Sequence, residues 1–94
     1  MKKQYYSKIR AKHLVGQCIF CEEKDINLLD CHRIVEGENE GTYCVRNTVI
    51  VCPTCHRKIH KGRIVIEGKY FSTAGKWVVY YEEDGISKIK TTPI

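Results

Sequence analysis

Two Cys-x2-Cys pairs, Cys18-Ile19-Phe20-Cys21 and Cys52-Pro53-Thr54-Cys55, flank a 30-residue segment. A 94-residue chain with 43% hydrophobic residues has a thin apolar core, because a short chain buries a small fraction of its surface. Something must staple it. Six cysteines can do so as disulfides or as metal ligands, and compartment and spacing decide between the two. Met1-Lys2-Lys3-Gln4-Tyr5-Tyr6 has no apolar core of a signal peptide and no small-residue cleavage site, so reduced thiols in an intracellular, cytoplasmic setting are expected. No apolar run approaches the roughly 20 residues of a membrane span, so no membrane partner is expected.

Structural zinc takes four soft ligands in a tetrahedron, and two such knuckles offer four thiolates from two tight turns. Cys18, Cys21, Cys52 and Cys55 are therefore the expected ligands of a structural Zn2+, whose binding would lock two distant segments together. Cys31 and Cys44 remain. Both fall in strand-like patterns and are expected in the core.

The chain is expected to be one domain over 1–94. Ser7 as a cap, Tyr5, Tyr6, Ile9, His13 and Leu14 at helical spacing and Gly16 at the end predict a short amphipathic helix near 6–15. Strands are expected over 26–34 and 43–51, paired antiparallel across an acidic, glycine-bounded loop at 35–41. Pro53 suits a first helical turn and Gly62 a helix end, which predicts a helix over about 53–61. Strands at 63–67, 69–71, 77–81 and 87–90, separated by Gly68, Ala74-Gly75 and Asp84-Gly85, predict a small antiparallel β-meander over 63–94. The fold class is α+β.

The net charge is +5 and unevenly spread. Residues 1–13 carry five Lys or Arg and no acid, and Arg57 to Lys76 carry six against Glu67 alone. Both stretches could neutralise phosphates, which makes DNA, or another nucleic acid, the expected partner. Arg33, Arg57, Lys58, Lys61 and Arg63 are the candidate contacts.

On the expected helix, His56 and His60 are four residues apart and share a face, so two imidazoles can chelate one divalent ion. Together with Leu29-Asp30-Cys31-His32-Arg33-Ile34, Asn47 and Val51-Cys52-Pro53-Thr54-Cys55-His56-x3-His60-Lys61-Gly62, the pattern over residues 5–62 resembles the HNH endonuclease family. The resemblance implies a ββα-metal unit of two antiparallel strands and a helix around one cation, held by a four-cysteine zinc site, that nicks or cleaves DNA with low sequence specificity. It implies that His32 matches the strand histidine, Asn47 the middle asparagine that holds the loop or orients a ligand, His56 the closing histidine and His60 a further ligand of Mg2+, Mn2+, Ni2+ or Zn2+. Small stand-alone proteins of this kind occur in phages and mobile elements.

The chain departs from the pattern at Arg33. Many members place two polar residues here, the first a ligand and the second the base. Aligned on Ile34, His32 is the ligand and Arg33 holds the base position, where arginine stays protonated. Aligned on the histidine, His32 is the base and Cys31 replaces the ligand. In either alignment Arg33 can clamp a phosphate through its planar fork. Two other classes fit the same residues: a noncatalytic, zinc-stapled nucleic-acid-binding module and a zinc-bearing protein-interaction domain. Trp77, Tyr80 and Tyr81 are candidates either for DNA contact or for the core.

Overall fold

A computed structural model describes residues 7–37 and 41–94. Among these residues the protein is α+β, with two α-helices and two small antiparallel sheets. The basic and aromatic side chains expected at positions 2–6, and the tip of the acidic loop at 38–40, lie outside the described residues.

Helix α1 spans Lys8–Val15, where the Ser7 hydroxyl accepts from the Arg10 N–H and Gly16 closes the end in the left-handed region, as the caps predict. Its packing face differs from the expected one. Ala11 is buried and Val15 packs on the core, whereas Ile9 and Leu14 are 70% and 54% exposed. A small residue lets the helix approach the sheet closely.

The first hairpin is shorter than its apolar run suggests. Ile26–Leu28 forms one 3-10 turn capped by Asp25, leaving β1 at Asp30–Arg33. Its partner is also preceded by a 3-10 turn, Val45–Asn47, so β2 covers only Thr48–Val51. The Asp25 side chain satisfies an N–H of the first turn that a continuous strand would have paired across the sheet, and in the second the Asn47 N–H donates to the Cys44 carbonyl. The antiparallel pairing holds as expected, with Asp30 opposite Val51 and His32 opposite Val49.

Cys52 caps α2, Pro53–His60, whose first residue is the proline that tolerates a missing N–H. Gly62 follows at φ 77°. The meander consists of β3 (Ile64–Phe71), β4 (Trp77–Glu83) and β5 (Ile86–Thr92), in that order. Gly68, expected to separate two strands, lies inside β3 beside a register irregularity after Ile66. The Tyr70 ring crosses it so closely that a Cβ there would come within 2.5 Å of the phenol oxygen. Asp84-Gly85 makes the tight turn, both residues at positive φ.

The two sheets share a core. Leu29, Val51, Ile64, Val79 and Tyr81 are almost wholly buried, and the Phe20 ring beside Cys21 sits 4.6 Å from that of Tyr81. Each such side chain contributes about 1.5–3 kcal/mol by leaving water. Twelve described hydrophobic residues are buried and three of them are Cys18, Cys52 and Cys55, so the core is thin and the thiols sit within it.

Candidate metal centre

The two knuckles meet. The Sγ atoms of Cys18, Cys21, Cys52 and Cys55 lie within 4.8 Å of one another, and those of Cys21 and Cys52 are 3.5 Å apart. A tetrahedron with Zn–S bonds of about 2.3 Å has edges of about 3.8 Å, so the donor set fits a metal ion such as zinc. None of the six cysteines is in a disulfide. Burial pushes the Cys21 thiol up to about 11 and raises that of Cys55 as well. Cys52 is also raised by burial, but the Cys55 backbone N–H and the Cys21 thiol outweigh that and bring it below its ordinary value. Four thiols so close resist joint ionisation unless a cation shares their charge. The knuckle is tied to the hairpin by the Ile19 N–H, which donates to the Ile50 carbonyl at 2.9 Å.

A second cluster lies between the hairpin and α2. His32 Nδ1 is 3.3 Å from His56 Nε2, which is 3.1 Å from His60 Nε2. One helical turn separates His56 from His60, and the pairing of β1 with β2 brings His32 over the start of α2. Tetrahedral bonds of about 2.0 Å to nitrogen give edges of about 3.3 Å, so these three nitrogens suit one divalent ion with a position left open. Burial first, then the neighbouring His56 and His60 rings, lower the His32 pKa to about 4. His32 is thus neutral at pH 7, with a lone pair to offer.

Asp30 was not among the expected site residues. Its Oδ2 is 3.2 Å from His56 Nδ1, as a carboxylate accepting the ring proton. That contact fixes the tautomer that turns the His56 Nε2 lone pair to the cluster. The signal was available in the sequence: Asp30 and His32, two residues apart on a strand, face the same side. Replacing Asp30 with alanine is expected to weaken divalent-ion affinity at the three histidines by about 10- to 100-fold. Titration with Co2+, with the four-cysteine site already filled, measures it.

Arg33 lies beside the cluster. Its guanidinium stacks 4.5 Å from the Tyr43 ring centroid, and a Cβ at Gly37 would come within 2.6 Å of it. A chamber of about 340 Å3 is lined by His32, Arg33, Glu36, Tyr43, His56 and His60, with Cys31 and Gly37. Cys31, on β1, is half-buried and packs against the core beside the site, and Cys44 immediately precedes the 3-10 turn instead of lying in a strand. Asn47 does more than turn the chain. Its Oδ1 accepts from the Val35 N–H at 2.8 Å, and its Nδ2 donates to the Val35 and Thr42 carbonyls at 3.0 and 2.8 Å. It holds both described ends of the loop that carries Glu36 and Gly37.

The basic residues divide. Arg57, Lys58, Lys61 and Arg63 line a cleft with Pro53 and Thr54. Lys58 pairs with Glu83 and Arg63 with Asp84, each at 3.3 Å, whereas Arg57 and Lys61 are exposed. Lys69, counted among the available charges, is buried: its Nζ donates to the Val45 carbonyl and, at 2.8 Å, to that of Thr48. Of the candidate aromatic contacts, Tyr81 is in the core and Tyr80 is exposed, with Trp77 intermediate and packed on Phe71.

No protein-family model matches the chain, and no solved structure matches it. A curated relative, Anaredoxin of Nostoc sp. (strain PCC 7120 / SAG 25.82 / UTEX 2576), is 31% identical over 51 residues. The match covers 54% of this chain and 66% of Anaredoxin, so the chain spans just under two thirds of that relative's length. Among the described residues no helix is long and apolar enough to cross a membrane.

Proposed function

We propose that this chain is a small metal-dependent endonuclease of the HNH type that hydrolyses DNA phosphodiester bonds. The observation that carries the reading is the convergence of three imidazole nitrogens, at 3.1 and 3.3 Å, beside a stacked arginine. The β1–β2–α2 arrangement is the ββα-metal unit of this reading, and zinc in the four thiolates is its clasp. The reading places the protein in a reducing, intracellular compartment.

His32, His56 and His60 would hold the catalytic cation, and Asp30 orients His56. When bound, a divalent ion lowers the barrier by neutralising charge on the phosphate and the departing oxygen. Arg33 shares that task through two N–H groups aimed at one phosphate. Asn47 keeps the loop beside the phosphate in place. Exposed Arg57 and Lys61 contact flanking phosphates, which carry little sequence information, so specificity is low.

Supercoiled plasmid with Mg2+, Mn2+ or Ni2+ tests the reading. Metal-dependent nicking that His32→Ala reduces by at least about a hundredfold is expected, since one of three ligands is lost. Salt-sensitive binding without cleavage by either protein would leave a noncatalytic zinc-stapled module. No affinity even at low salt would point to a protein-interaction domain.

A second reading rests on the Nostoc relative, whose name points to redox chemistry. Four thiolates hold iron as well as zinc. A coloured, iron-loaded protein that bleaches with dithionite would favour it; a colourless zinc protein would exclude it.

A further inference from the structure

We infer that Glu36 is the proton acceptor for the attacking water, an assignment that rests on the nuclease reading. The usual base is missing. Aligned on Ile34, Arg33 stands in the base position and stays protonated; aligned on the histidine, His32 would be the base, but its Nδ1 sits with the ligand nitrogens. A neutral imidazole has one N–H and one lone pair. His32 turns Nδ1 to the cluster, so as a ligand through that nitrogen it would carry its proton on Nε2. His56 turns Nε2 to the cluster and gives its Nδ1 proton to Asp30, and His60 likewise turns in Nε2. A ring that binds an ion through one nitrogen carries its proton on the other, so none of the three can accept a second proton while serving as a ligand.

Glu36 is the only carboxylate among the described residues lining the chamber. It is an exposed residue at the rim of the chamber that His32, His56 and His60 also line. Its carboxylate is not among the clustered donor atoms, which are those of the three histidines. Its backbone is held. Asn47 grips both polar groups of the preceding Val35, and the Gly41 N–H donates to the Glu36 carbonyl at 2.8 Å. Only glycine fits at 41, since a Cβ there would lie 1.6 Å from the Val35 oxygen.

In the step, the water oxygen forms a bond to phosphorus while its proton passes to the Glu36 carboxylate. The bond from phosphorus to the 3′ oxygen breaks, and its electron pair stays on that oxygen, which takes a proton from solvent. The products are a 5′-phosphate and a 3′-hydroxyl.

The test compares full-length wild type with Glu36→Gln and Glu36→Ala on supercoiled plasmid with Mn2+, alongside calorimetric Mn2+ titration of the protein without DNA. Glu36→Gln is expected to lower kcat by about 10²- to 10⁴-fold, the range for removal of a general base, with KM and Mn2+ affinity little changed. Added formate is expected to restore part of the activity of Glu36→Ala, which a merely structural role would not produce. Wild-type nicking with an equally active Glu36→Gln overturns the inference and leaves the nuclease reading standing. Loss of Mn2+ affinity in Glu36→Gln makes the residue a ligand and also overturns it. A wild type that never nicks ends both.

Discussion

Chelating the metal, or replacing Cys52 with serine, is expected to unfold the protein. Structural zinc bound by four thiolates is worth about 10–16 kcal/mol at neutral pH, against a net stability of about 5–15 kcal/mol for a whole domain. The clasp is therefore comparable with the whole net stability of a domain. Here an ion in the four-cysteine cluster would join the first knuckle to the N-terminus of α2, and three of the four cysteines are in the core. Far-ultraviolet circular dichroism during titration with a strong chelator measures the effect. Loss of the cooperative melt, restored by Zn2+, is expected. Cys44→Ser, outside the cluster, is expected to keep both ion and fold. A chain that melts cooperatively without metal would mean that the apolar core suffices.

Lys69→Met is expected to loosen the site from a distance. The Lys69 amine is buried and bonds to the carbonyls of Val45 and Thr48, on either side of Asn47. Asn47 in turn holds Val35 and Thr42, so a lysine of the meander braces the loop beside the three histidines. Methionine has similar bulk and no donor. Losing the donor to these two carbonyls costs about 1–3 kcal/mol, partly offset because a buried charge is removed. A net loss of about 1 kcal/mol lowers Tm by at least about 4 °C in a domain this size. Hydrogen exchange is expected to speed up at 35–37 and 41–47, with the four-cysteine site still filled.

The same amine has a pH signature. Burial lowers its pKa from 10.5 to about 8, although charges at Cys31 and Cys44 oppose that. Between those values the unfolded chain holds a proton that the folded chain lacks, so stability rises as pH climbs through the window. Below about 8 both states are charged and the full cost of burial remains. Subtracting the Lys69→Met stability curve from that of wild type isolates the slope. A flat difference between pH 8 and 10.5 would place the amine in water.

Features set by a few adjacent residues were legible in the sequence. Ser7 and Gly16 delimit α1, Pro53 and Gly62 delimit α2, and the paired cysteines and the His56–His60 spacing fix which donors share a turn or face. What depends on the third dimension was harder to read. Ile9 and Leu14 have helical spacing, but the helix packs through Ala11 and Val15 instead. The apolar runs at 26–34 and 43–51 look like strands, yet Asp25 caps one 3-10 turn and Lys69 braces the other from 21 residues beyond Thr48. A lysine in an alternating strand gives no sign of which face it takes. His32 is equally instructive: its sequence permits ligand or base, and its Nδ1 sits with the ligand nitrogens.

The central claim is that a hairpin and a helix bring three imidazoles to one cation beside a separate thiolate clasp. Anomalous diffraction from crystals of the zinc-loaded protein soaked in Mn2+ tests it most directly. The account predicts manganese within about 2.0–2.3 Å of His32 Nδ1, His56 Nε2 and His60 Nε2, with zinc about 2.3 Å from the four Sγ atoms. Rings turned apart with no manganese between them, or sulfurs bonded to each other in place of zinc, would contradict it.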